Sequence, residues 1–214
     1  MPEVIQTTVY TLDELDERAK SRARDWYRQV SNDDDWHEAV FEDFERVCEI
    51  LGVKLATRSV RLYGGGSLQK PCIWFSGFSC QGDGACFEGS YRYKKGAARD
   101  IRSYAPKDER LAAIADRLQL IQRKNLYALK ARVTHRGRYY HEHCMVISVE
   151  RASHTYQSPT PDAEEIVAEA LRDLARWLYR QLEREYEYQT SDEVVDESIA
   201  ANGYTFTEVG RRFG

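Results

Sequence analysis

Four residues near the middle of the chain have side chains suited to catalysis. Cys80, Asp83 and Cys86 sit in or beside a short polar turn, and His141 lies farther along. A thiol with an imidazole base and a carboxylate to orient it would suit acyl or thiol chemistry, which makes Asp83, Cys86 and His141 the catalytic candidates. No family signature surrounds either cysteine. Asp83 and Glu88 also form a carboxylate pair of the kind used for proton transfer. More simply, Asp83 is a turn residue and Glu88 an outward polar position. His141 and His143, two apart on a strand, would share a face. With Cys80 and Cys86 they supply the donor set of a tetrahedral zinc site. Neither pair has the C-x-x-C spacing that marks such sites, so the sequence predicts no bound metal and no cofactor. A third group is built for binding: Arg92, Lys94, Lys95, Arg136 and Arg138 lie close to Tyr139 and Tyr140 or to other tyrosines. Cations can track phosphates while aromatic faces stack bases. The same mixture also marks protein interfaces. No helix-turn-helix or zinc finger accompanies it.

These residues need strands to position them. Pro71 to Tyr93 has six aromatic rings, three of the five cysteines and only three charged groups. It reads as two buried antiparallel strands joined at Ser79–Gly84, with Gly82 and Gly84 expected at positive φ. Residues 3–10 predict a first strand. Thr11 with Glu14 predicts a capped helix to about Val30, and a second helix, capped at Ser31–Asn32–Asp33, is expected over 34–51. Val53–Tyr63 alternates as a strand with a bulge near Arg58 and Ser59. Short and longer helices are expected over 97–104 and from Pro106 to about Lys124. Alternation over 126–135 puts Lys130 and Arg132 on one face and Leu129, Ala131 and Val133 on the other, with 139–150 as the partner strand. The longest helix runs from Thr160–Pro161 to about Tyr188 with the buried stripe Val167, Leu171, Leu174, Leu178 and Leu182. A last helix, boxed by Thr190 and Glu193, ends at Ala201. Tyr204–Phe206 reads as an edge strand and Gly210–Gly214 as frayed. The order of elements predicts an α+β fold, with a mostly antiparallel sheet built from hairpins and covered by helices, as one domain over 1–214.

Composition narrows the partners. The 214 residues carry a net charge of −4, with 42% hydrophobic content and a mean hydropathy of −0.65. No apolar run is long enough for a membrane helix. The first residues lack the basic flank and apolar run of a signal peptide, so a cytoplasmic location is expected. Residues 92–138 hold fourteen Lys or Arg and four acids, so this segment is +10 and the remainder −14. Acidic clusters within 33–45 and 183–197 oppose it. Opposed blocks suggest either internal pairing of solvated helix faces or a two-signed surface.

Several segments are distinctive together: Tyr10–Leu15, Ala23–Tyr27, Phe75–Tyr91, Tyr104–Asp108, His135–His141 and Thr190–Glu197. In these the chain resembles phage and bacterial proteins labelled "antitoxin of toxin-antitoxin stability system". The resemblance implies a mobile-element accessory protein in a bacterial cytoplasm and transfers no catalytic or binding residue. The expected function is therefore a non-enzymatic protein that binds and inhibits a host toxin, nuclease or defence complex. The alternatives are a small enzyme centred on residues 79–86 and His141, or a nucleic-acid-binding protein using the basic 92–138 segment. The partner is a host protein or a nucleic acid, with no membrane.

Overall fold

A computed structural model describes residues 6–31, 35–153 and 157–214. A 3-10 turn, Leu12–Glu14, precedes helices α1 (Glu17–Ser31) and α2 (Glu38–Leu51). Strands β1 (Val53–Leu55), β2 (Thr57–Arg61), β3 (Ser67–Pro71), β4 (Ile73–Phe75), β5 (Ala85–Phe87) and β6 (Gly89–Arg92) follow. Then come α3 (Ala97–Tyr104), α4 (Glu109–Lys124), β7 (Leu129–His135), β8 (Met145–Arg151), α5 (Ala163–Gln189), α6 (Asp192–Ala201), β9 (Thr205–Phe206) and β10 (Arg212–Phe213). All strand pairs are antiparallel, and the fold is α+β. The chain divides into two compact units, Ala39–Glu183 and Met1–Glu38 with Arg184–Gly214.

The larger unit is organised by a backbone junction. β1 and β2 are interrupted only at Ala56, β3 and β4 only at Cys72, and β5 and β6 only at Glu88. The Ala56 N–H donates to Glu88 O (2.8 Å), the Glu88 N–H to Cys72 O (2.9 Å), and the Cys72 N–H to Ala56 O (2.7 Å). Three strands thus exchange partners around a closed ring of hydrogen bonds. On leaving it β2 pairs with β3, β4 with β5, and β1 with β6. The expected bulge at Arg58 and Ser59 is absent, their register with Lys70 and Gln69 being unbroken; the interruption falls at Ala56, whose N–H goes to Glu88. β6 continues into a four-stranded sheet in the order β1-β6-β7-β8.

That sheet has two unlike faces. Val53, Tyr91, Leu129, Ala131, Val133, Met145 and Ile147 are buried. The expected α5 stripe is buried throughout, and Phe44 of α2 packs against Phe87 (5.5 Å) and Trp177 of α5 (6.5 Å). The Gln122 amide of α4 completes both backbone groups of Leu129, donating to its carbonyl at 2.9 Å and accepting its N–H at 3.1 Å. The Asp108 carboxylate caps α4 by accepting the Leu111 N–H (2.8 Å) and also accepts the Trp177 indole N–H (2.6 Å). A capping carboxylate that also satisfies a buried donor fixes both helices.

The smaller unit has a core of Leu12, Leu15, Ala19, Ala23, Val195, Ile199 and Phe206. Arg24 binds Asp196 through two nitrogens (2.7 and 2.6 Å), and Arg28 binds Asp192 (2.5 Å).

Several expectations are corrected. Residues 3–5 of the predicted first strand and the Asn32–Asp33 cap lie outside the described residues. Residues 6–9 form no strand, and Tyr10 makes one antiparallel bridge, to Phe206. The Glu14 carboxylate does accept the Thr11 N–H (2.8 Å), but this closes only the 3-10 turn. Leu15 is extended, and the Asp16 carboxylate, accepting the Ala19 N–H at 2.7 Å, starts α1. α6 is capped by Ser191, which accepts the Val194 N–H (3.4 Å); Thr190 instead donates to Tyr186 O (2.7 Å). Leu126 and Tyr127 adopt left-handed φ of 55° and 59°, so β7 starts only at Leu129. Arg212–Phe213, read as frayed, pairs with Phe206–Thr205. The partner strand begins at Met145 rather than Tyr139, because 142–144 is a 3-10 turn with His141 as its cap.

Candidate functional site

The loop between β4 and β5 is held by Asp83. Its carboxylate accepts the N–H groups of Cys80 (2.7 Å) and Ser79 (3.0 Å). These bonds keep its pKa below the usual carboxylate range. Neither Gly82 nor Gly84 takes positive φ. Gly84 is needed for space: a Cβ there would meet the His141 ring at 2.8 Å. The structure therefore does bring the 79–84 turn against His141. The chemistry is less favourable. Cys86 is buried, and burial pushes its thiol up to about 12, so it is not a thiolate at neutral pH. Cys80 is exposed, beside the Ser79 hydroxyl (3.8 Å). Asp83 is occupied as the organiser of its own turn, and Glu88 accepts the His135 N–H (2.8 Å).

His141 and His143 do not share a strand face, yet their rings stack with centroids 5.1 Å apart. Glu142 lies between them, and the donor atoms of the three residues fall within 4.8 Å of one another. The thiols of Cys80 and Cys86 are not part of this group.

The predicted basic group is split. Arg92 ends β6 opposite Lys130 at the start of β7. Arg136, Arg138, Tyr139 and Tyr140 follow the other end of β7, roughly 20 Å away at 3.3 Å per residue. Lys94 is engaged: its ammonium donates to Glu49 O (2.7 Å) in the last turn of α2, a favourable place for a cation. Lys95 is exposed. Tyr140 stacks on Trp74 (6.1 Å), with the His135 ring 5.6 Å from it and Arg58 over Trp74 at 5.8 Å.

The solvent face of the four-stranded sheet joins these two ends. It forms an open groove of about 740 Å³. Its register places Lys54, Ser90, Arg132 and Ser148 in one row across the strands, and Arg92, Lys130 and Glu150 in the next. Lys54, Arg92, Lys130 and Arg132 form no ion pair with any described residue. Arg92 and Lys130 are direct cross-strand partners, an arrangement of like charges that destabilises a sheet. Of these four, only Arg92 was singled out from the sequence. The alternation that put Lys130 and Arg132 on one face was the available signal. Lys54 gave none, because only the fold brings β1 beside β6.

Among the described residues no helix is long and apolar enough to cross a membrane. Residues 36–192 match a family described as "Domain of unknown function (DUF8835)", and the chain belongs to that family. Searches of curated proteins and of solved structures gave no match.

Proposed function

We propose that this protein binds a nucleic-acid strand along the open face of the β1-β6-β7-β8 sheet. The observation that carries the reading is the set of four cations in one groove that form no ion pair with any described residue, two of them directly opposed, although Glu150 faces Lys130 across the strands. Neighbouring strands lie about 4.8 Å apart and alternate residues about 6.6 Å, a spacing on the scale of successive phosphates. Ser90, Thr134 and Ser148 line the groove and add hydroxyl donors, which commonly contact phosphate oxygens. The exposed Tyr127 and Tyr139 lie just beyond the two ends of β7, where aromatic faces can stack unpaired bases. An electrostatic sheet face of this kind supplies affinity with little sequence preference.

The inhibitor reading, which the antitoxin-like resemblance suggests, relies on acidic surfaces that mimic nucleic acid. Several of those acids are engaged within the protein: Asp192 and Asp196 hold Arg28 and Arg24, Asp43 accepts the Tyr104 hydroxyl, and Glu49 pairs with Arg46. The basic groove therefore supports nucleic acid more strongly than a protein target. A phage or mobile-element origin and a cytoplasmic location remain part of this proposal.

Capture from a bacterial lysate separates the two readings. Purified protein is expected to bring down nucleic acid that nuclease treatment removes. A single dominant protein that survives nuclease, with no nucleic acid in the untreated sample, would overturn the proposal in favour of the inhibitor.

A further inference from the structure

His141, Glu142 and His143 form a compact donor set at the base of the β7–β8 connection, away from the groove cations. The Glu142 Oε2 atom lies 3.0 Å from Nδ1 of His141, and its Oε1 atom 3.9 Å from Nε2 of His143. A tetrahedral zinc ion with bonds of about 2.0–2.1 Å holds its donor atoms about 3.3 Å apart. The separation of Nδ1 of His141 from Oε2 is close to that value, and the donor atoms of all three residues fall within 4.8 Å of one another.

Nδ1 of His141 accepts the backbone N–H of His143 at 3.2 Å. The Glu142 Oε2 atom is 3.0 Å from the same nitrogen. A cation bound to Oε2 would take the Nδ1 lone pair in place of that N–H.

Glu142 is oriented as metal-binding carboxylates usually are. It is buried, and the Arg176 Nε–H donates to its Oε1 at 2.9 Å, leaving Oε2 for a ligand. The charge of Arg176 is already balanced by Glu169 (2.8 Å) and Asp173 (2.6 Å). It therefore fixes the carboxylate without strongly opposing a second cation. Such outer partners position ligands and tune affinity. His143 is largely exposed, giving an ion a path in and leaving a fourth coordination position to water.

We propose that His141, Glu142 and His143 bind one divalent transition-metal ion, with zinc the best match to two imidazoles, one carboxylate and an open position. Bound there, the ion would pin the 136–144 connection to α5 through Glu142 and Arg176.

The test uses the full chain, stripped with chelator and titrated with Co²⁺ and Zn²⁺ alone. One ion per chain is expected, with the visible absorption of low-coordinate Co²⁺ and no thiolate-to-metal band in the near ultraviolet. His143→Ala removes an exposed ring and should leave the fold intact by circular dichroism. It should weaken binding by more than the about 10–100-fold that outer-shell changes cost, and His141→Ala should do the same. Absence of stoichiometric binding by the wild type would overturn the proposal. So would unchanged binding in both variants, or a thiolate band, which would move the site to the cysteines.

Discussion

Gly89→Ala is expected to lower the stability of the larger unit by on the order of 3 kcal/mol or more. A Cβ at this position would lie 2.3 Å from Lys54 O and 3.0 Å from Leu55 Cα. Both obstacles are backbone of the paired strand, so no rotamer change relieves them. Gly89 faces Leu55 in the β1–β6 ladder and follows Glu88, a member of the hydrogen-bonded ring. Moving β1 away would break the ladder and strain the junction where three strands exchange partners. For a unit of this size the loss corresponds to a fall of roughly 6–12 °C in Tm, read by thermal melting. Gly64→Ala is the control, since a Cβ there meets nothing. A Gly89→Ala melt indistinguishable from that control would show that the junction yields easily and is not the organiser described above.

The second large effect concerns the groove. Arg92→Glu with Arg132→Glu should weaken binding to a single-stranded oligonucleotide by about a hundredfold or more at low salt. The change removes two phosphate contacts and leaves two negative charges against the strand. Both side chains are exposed, so the variant should keep its melting temperature. It should rise slightly if anything, because the Arg92–Lys130 repulsion is relieved. Arg18→Glu, in the smaller unit, should leave affinity nearly unchanged. Equal loss in both variants would mean that net charge alone, not the sheet face, governs binding.

Local patterns made much of the fold legible. The α3 boundaries, the α5 stripe, the aromatic hairpin and the inward face of β7 all follow from spacing within a few residues. Where two local signals overlapped, the sequence did not choose between them. Thr11–Glu14 forms its expected contact, but Asp16 starts the helix, and Ser191 takes the role assigned to Thr190. The ring through Ala56, Cys72 and Glu88 left no trace, because it is made of backbone groups far apart in sequence. The 79–84 turn was visible, but the reason for its glycine was not: Gly84 is small to admit His141, a contact no local pattern encodes. The site was only half legible for the same reason. Alternation sorted Lys130 and Arg132 onto one face, whereas the neighbour relation of Lys54, Arg92 and Lys130 depends on strand order. The pairing of His141 and His143 with Glu142 required a turn where alternation suggested a strand.

The central claim, that the sheet groove is an electrostatic nucleic-acid surface, is tested most directly by a salt titration. Binding of the wild-type chain to a labelled single-stranded oligonucleotide would be followed by fluorescence anisotropy as salt is raised. Four groove cations acting on phosphates predict a slope of log K against log salt of about −3, from about −0.7 per contact. No binding at low salt, or affinity that does not change with salt, would contradict the account.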